Sequence, residues 1–210
     1  AMTAASRAIC YLTAAATDIS HRAEDKTARQ QAHERAGLLT PMAKAFSTDI
    51  GNETASLGIQ VHGGMGFIEE TGAAQHFRDI RIAAIYEGTN GIQAIDLVMR
   101  KLPMSGGQAM EREMADMRAV ADELKASNST GFGTASERLA ETLDSLETAN
   151  AYLRQKVASA PNDALAGATP YLRLFGLARG GTALAKIALN ALAAGDDPDA
   201  ARHVAIARFF

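Results

Sequence analysis

The stretch from Gln60 to Gln93, QVHGGMGFIEETGAAQHFRDIRIAAIYEGTNGIQ, holds the residues of this 210-residue chain with most to offer chemically. Glu87 stands between Tyr86 and Gly88, behind the apolar run Ile82-Ala83-Ala84-Ile85. A carboxylate in poorly hydrated surroundings has its pKa raised and becomes a better base near neutral pH. A following glycine lets a substrate approach the backbone. On local composition alone the plainer reading leads: most glutamates are exposed, and Glu87 is then a surface turn acid. Upstream, Gln60-Val61-His62-Gly63-Gly64-Met65-Gly66-Phe67 offers an amide and two adjacent glycines where a helix ends. Such a place exposes backbone N–H and C=O groups and could cradle a polar ligand. It is not a dinucleotide fingerprint, because the pattern is GGxG and a helix precedes it. Taken alone it reads as a turn. His62 has no second histidine at metal spacing, which favours a hydrogen-bonding role over a metal site. Thr89-Asn90-Gly91, at a helix start, would present free N–H groups to a phosphate, although taken alone the motif reads as ordinary capping.

The rest of the chain must position these residues. It is 47% hydrophobic and rich in alanine, without tryptophan, which fits a helical protein better than a sheet. A net charge of −3 gives no electrostatic reason to expect nucleic acid or an anionic membrane as partner. No apolar stretch is long enough to span a bilayer, and no signal segment opens the chain, so a cytoplasmic location is expected. The single cysteine, Cys10, reads as a buried inert thiol. Residues 1–20 place Ala5, Ile9, Leu12, Ala16 and Ile19 on one helical face, beginning mid-pattern as a chain cut from something longer would. The charged run from His21 to Arg35 reads as an exposed turn or solvated helix. Thr40 and Pro41 are suited to the N-cap and first position of a new helix. Its inner face would be Met42, Phe46, Ile50 and Leu57, and its stop Gly63-Gly64. Thr71 is placed to cap a short helix through Asp79, and Arg81 to Gly88 reads as extended or turn. Thr89 or Asn90 would cap a last helix with Ile92, Ile95, Met99 and Leu102 inward.

Pro103 to Gly107 is the best boundary in the sequence. Beyond it Met110, Met114, Met117, Ala121 and Leu124 recur at three- and four-residue steps. So do Leu139, Leu143, Leu146, Asn150, Leu153 and Val157. That is the spacing of packed antiparallel helices. A third long helix is expected over 162–194, and a short one to Phe210 after Gly195-Asp196-Asp197-Pro198-Asp199. The methionine stripe reads as bundle core.

Together the motifs resemble the C-terminal helical domain of the acyl-CoA dehydrogenases, in which Q-x-x-G-G-x-G-[FY] is followed by Y/F-R-D and then I-Y-E-G-T. The resemblance covers residues 1–102. It implies an all-α fold, a helical bundle of the acyl-CoA dehydrogenase C-terminal type, followed after a 103–107 linker by a second small helical bundle over 108–210. That second bundle resembles, more loosely, the extension of longer bacterial members, the group that includes the 3-(methylthio)propanoyl-CoA dehydrogenases. The resemblance reverses the reading of Glu87. It implies the base that removes the pro-R α-proton of an acyl-CoA thioester, while the β-hydrogen leaves as hydride to FAD. Its backbone N–H would be one donor to the thioester oxygen, with Tyr86 and Gly88 lining the acyl site. Gln60, His62, Gly63 and Gly64 map to contacts with the adenosine end of FAD from the neighbouring subunit, and Thr89 and Gly91 to contacts near the diphosphate. A homodimer or homotetramer is therefore implied, with an electron-transfer flavoprotein as electron acceptor.

The family's N-terminal helical domain and middle β-domain have no counterpart in these 210 residues. The chain is thus expected to be a C-terminal fragment, inactive alone and weak in FAD binding. Two other functions are to be separated from this one: an acyl-CoA oxidase, which would make peroxide, and a non-catalytic helical assembly domain.

Overall fold

The amphipathic periodicity becomes helix almost from end to end. The computed structural model describes residues 1–210, and they form ten α-helices joined by short turns, with no strand. Helix α1 (Met2–Arg22) turns its Ala5, Ile9 and Ala16 stripe inward. It lies against α2 (Lys26–His62), which at 37 residues is the longest element.

The start of α2 departs from expectation. Asp25, not Thr40, is the N-cap, and its carboxylate accepts the Ala28 N–H at 2.6 Å. The charged run thus spans the end of α1, a short turn and, from Lys26, the first turns of a continuous helix, and Pro41 is buried inside that helix. An interior proline costs about 3 kcal/mol. Burial of Leu38, Leu39, Met42, Ala45 and Phe46 around it offsets that cost. The Thr40 hydroxyl, rather than capping, bonds back to the Ala36 carbonyl at 2.7 Å. The inward stripe ends at Ile50: Leu57 is 64% exposed, so the last turns of α2 present apolar side chains to the surface.

Gly63 (φ +61°) ends α2 as expected. The one-turn helix α3 (Gly64–Phe67) then folds back so tightly that a Cβ on Gly66 would lie 2.3 Å from the Ile59 carbonyl oxygen. Helix α4 (Ala73–Arg81) starts after Gly72, not after Thr71, whose hydroxyl instead bonds the Met65 carbonyl at 2.6 Å. Of the two readings for 81–88, extended or turn, residues 82–84 take the second, as a 3₁₀ turn. In α5 (Asn90–Asp96), Thr89 is the N-cap, accepting the Ile92 N–H at 3.4 Å. Its inner face differs from the one expected. Ala94, Leu97, Val98 and Leu102 are buried while Ile92 and Ile95 face outward. A π-helical turn over Leu97–Lys101, closed by the Leu102 N–H to the Leu97 carbonyl, shifts the register that a uniform helix would keep.

After Pro103, residues Met104–Gly107 make a tight 3₁₀ turn in which Ser105 adopts φ +53°. Then follow α6 (Gln108–Ala126), α7 (Ala135–Ser159), α8 (Pro161–Ala166), α9 (Ala168–Ala194) and α10 (Ala200–Phe209). The expected long third helix is broken at Gly167 into α8 and α9. Met110, Met114 and Met117 are core, whereas Cys10 is exposed rather than buried, its Sγ 3.6 Å from the Ser47 hydroxyl.

Helix α9 packs against α1, α2, α5, α6, α7 and α10. Its approach to α2 is close: a Cβ on Gly176 would fall 2.4 Å from the Phe46 ring. One cluster of buried side chains accordingly includes residues from before and after the 103–107 turn, from Ile9, Leu38 and Phe46 to Leu143, Phe175 and Leu189. No helix is long and apolar enough to cross a membrane.

Candidate functional site

Tyr86 to Gly91 form one turn, docked on the middle of α2. Its centre is strained. Glu87 has φ +53°, a left-handed conformation that costs a non-glycine residue about 1–2 kcal/mol. Hydrogen bonds to its own carbonyl and to the one that follows hold that geometry. The Gln93 amide donates to the Glu87 carbonyl at 3.1 Å. From α2, the Lys44 ammonium donates to the Gly88 carbonyl at 2.9 Å and to Asn90 Oδ1 at 2.8 Å. Asn90 Nδ2 in turn donates to Asp49 Oδ1 at 2.7 Å and Thr48 Oγ1 at 2.9 Å. Hydrogen bonds from a charged donor contribute about 1.5–3 kcal/mol each, enough to offset the strain at Glu87. The turn is thus a bent segment fastened to a long helix. Such local strain recurs at ligand-binding positions.

The Glu87 side chain itself is exposed, as are Tyr86, Thr89 and Gly91, with Gly88 half-buried. The poorly hydrated carboxylate expected from the apolar run before it is not found in this chain alone. Ile82, Ile85 and Tyr86 point outward, 45–57% exposed, and do not close over the acid. They belong to a broader pattern. Eleven of the seventeen exposed large apolar side chains fall between Leu57 and Ile95, including Val61 at 85% and Phe67 at 78%. A concentration of that kind marks a surface meant to be covered.

Gln60, His62, Gly63 and Gly64 lie at the far end of α2, all exposed. His62 Nδ1 donates to the Gly58 carbonyl at 2.8 Å, which leaves Nε2 of this exposed side chain for another partner. Apart from the adjoining backbone, nothing lies within 4 Å of where a Cβ would stand on Gly63 or Gly64, so this lip of backbone is open. The structure does not bring the two groups into one pocket. From Thr48, where the Glu87 turn docks, to Gln60 is twelve helical residues, or about 18 Å along α2 at 1.5 Å per residue. None of the five main clefts of the chain is lined by any of the nine candidate residues.

The sequence reading missed Lys44, Thr48, Asp49 and Gln93. Lys44 and Thr48 carry a signal in hindsight: they are polar positions one turn apart, beside the buried residues Met42, Ala45 and Phe46. Asn90 was read as a possible cap, yet its amide is the hub that joins the turn to α2, while Thr89 does the capping.

Residues 2–102 match the family model described as acyl-CoA dehydrogenase, C-terminal domain, and residues 112–210 the model described as acetyl-CoA dehydrogenase C-terminal like. The chain is 42% identical over 199 residues to 3-methylmercaptopropionyl-CoA dehydrogenase of Ruegeria pomeroyi, an alignment covering 92% of this chain and 32% of that protein. It is 36% identical over 128 residues to a butyryl-CoA dehydrogenase of Syntrophomonas wolfei, covering 61% of this chain and 20% of that one. In fold it is similar to Caenorhabditis elegans ACDH-11, solved in complex with C11-CoA, with a TM-score of 0.77 at 18% identity over 98% of this chain and 33% of that one. The chain therefore spans about a third or less of the length of these relatives. The two matches adjoin along nearly all of the sequence and agree with the helical architecture: the chain belongs to the acyl-CoA dehydrogenase family, as sequence of that family's C-terminal domains.

Proposed function

We propose that this chain is the C-terminal part of an FAD-dependent acyl-CoA dehydrogenase that converts an acyl-CoA thioester to a trans-2-enoyl-CoA, with Glu87 as the base. The observation that carries the reading is the turn itself. An acid is held in a left-handed conformation by hydrogen bonds from two helices, on the surface where apolar side chains await a cover.

The residues present fit FAD. Gln60 supplies an amide, His62 a ring nitrogen, and Gly63 and Gly64 a backbone lip with no side chain in the way of a flat ligand. Thr89 and Gly91 stand exposed at the start of α5, where backbone N–H groups favour a diphosphate. Bound FAD would supply the hydride acceptor that no side chain can provide. The separation of the two groups along α2 suits a cofactor shared between subunits, and hence a homodimer or homotetramer.

The chain's own residues would do the following. Glu87 takes the α-proton onto its carboxylate. A thioester α-proton is too weakly acidic for a hydrated carboxylate, so water must be excluded when substrate binds. Tyr86, Ile82 and Ile85 supply the apolar surface for that exclusion once covered by the remainder of the protein. The Glu87 backbone N–H donates to the thioester oxygen as charge develops there. Tyr86 and Gly88 border the acyl group. Residues 1–102 form the catalytic C-terminal domain, 103–107 the linker and 108–210 a module for packing and subunit assembly. Because Glu87 is exposed here, the 210 residues alone are expected to be inactive and to hold FAD weakly. An electron-transfer flavoprotein is the proposed acceptor and the cytoplasm the proposed location.

The test uses the full-length protein that contains this sequence. Anaerobic addition of short-chain acyl-CoA thioesters should bleach its flavin absorbance and yield the 2-enoyl product. Failure across a series of acyl chains would overturn the reading, and peroxide on turnover in air would move it to an oxidase.

A further inference from the structure

The Glu87 turn does not shape itself. Its backbone is fixed from outside by two side chains, Lys44 of α2 and Gln93 of α5. We infer that Lys44 is a positioning residue for the proposed base. Its ammonium, reaching from α2 to the Gly88 carbonyl and Asn90 Oδ1, fixes the direction in which the Glu87 carboxylate and N–H point. The inference rests on the function proposed above.

Three features support it. Lys44 forms no ion pair: none of the chain's lysine–carboxylate contacts within 4.0 Å involves it, although Asp49 lies five residues along α2 and is held by Asn90 instead. Two of its three N–H groups are spent on oxygens of residues 88 and 90. The first of those oxygens belongs to the residue that follows Glu87, and the Gln93 amide holds the carbonyl of Glu87 itself. With both carbonyls held, the strained φ of Glu87 is the conformation that keeps all three bonds. Without Lys44 the turn can relax toward φ < 0, which swings the side chain away. A misplacement of about 1 Å in a reacting group can lower a rate about a hundredfold.

The test is a set of variants in the full-length enzyme: Lys44→Met, Gln93→Met, Glu87→Gln and the Lys44→Met/Glu87→Gln double. Lys44→Met should keep its flavin and a KM for acyl-CoA within about threefold of wild type, while kcat falls about 10- to 100-fold and the α-deuterium isotope effect rises. In the Glu87→Gln background the same change should lower the residual rate by less than about threefold, since there is no longer a base to aim. A lysine that merely holds the fold would cost the same factor in both backgrounds, and that result overturns the inference. So does wild-type kcat in Lys44→Met, with Glu87→Gln inactive. Should Lys44→Met not fold, Gln93→Met decides by the same comparison. Full turnover in Glu87→Gln would instead remove the proposed function, and the role of Lys44 with it.

Discussion

Glu113→Ala should be the most destabilising of the polar substitutions in this chain, and the reason is a charge left behind. Glu113, on α6, is 2% exposed. Its Oε2 accepts from Arg35 Nε of α2 at 2.8 Å, and its Oε1 lies 3.0 Å from Arg179 Nε of α9. Arg179 is 6% exposed, and its Nε and Nη1 have no aligned hydrogen-bond acceptor. Burial pushes the Arg179 pKa down, and the Glu113 charge opposes that shift. The carboxylate thus compensates a buried cation chiefly by proximity. Removing one member of a buried pair costs about 3–5 kcal/mol, a large share of the roughly 5–15 kcal/mol by which domains are stable. Arg179→Met should cost about 1 kcal/mol or less, because it fills the space with apolar atoms and leaves Glu113 bonded to Arg35. The double variant should then be more stable than Glu113→Ala alone by about 2–3 kcal/mol. Urea unfolding of the 210-residue chain, followed by far-ultraviolet circular dichroism, measures all three. With a slope of about 2 kcal/mol/M, Glu113→Ala moves the midpoint down by about 1.5–2.5 M. Equal losses in the two single variants, or a loss below about 1 kcal/mol in Glu113→Ala, would refute the argument.

Two other outcomes follow from the same geometry. Glu34 is buried beside the 103–107 turn, where the Ser105 hydroxyl (2.6 Å), the Gln30 amide (2.9 Å) and Arg112 hold its pKa below the usual carboxylate range against the opposing effect of burial. A depressed folded-state pKa gives stability that is complete above the unfolded value of about 4.3 and is lost as pH falls through the folded one. Glu34→Gln should therefore melt below wild type at pH 7, with the gap narrowing in melts at pH 3. Val61, 85% exposed at the end of α2, should tolerate Ser within about 0.5 kcal/mol in the isolated chain. In the full-length protein the same change should weaken subunit association, measured by sedimentation on dilution, if the proposed assembly covers the apolar strip between Leu57 and Ile95.

What could be read from the sequence was local. The stop at Gly63, the cap at Thr89, the helical faces of α6 and α7 and the methionine core depend on residues within a turn or two of each other, and periodicity reports them. The Glu87 turn was legible as a motif, but what holds it was not. Lys44 lies forty-four residues from Gly88, and no spacing rule joins a mid-helix lysine to a distant carbonyl. Pro41 misled because its local preference for a helix start is outweighed by packing on both sides of it, which only the folded α2 shows. The hydration of Glu87 was misjudged for the opposite reason. Apolar neighbours in sequence suggest a dry site, yet on a turn they point outward, and the cover must come from another surface.

The most direct test of the account is α-proton abstraction by Glu87→Gln in the full-length enzyme. The variant should retain its flavin spectrum and bind acyl-CoA, while turnover and solvent exchange of the α-hydrogen fall by about 10²- to 10⁴-fold, the span of a lost general base. Exchange and turnover within about tenfold of wild type, with the flavin in place, would contradict the assignment of the base and the mechanism built on it.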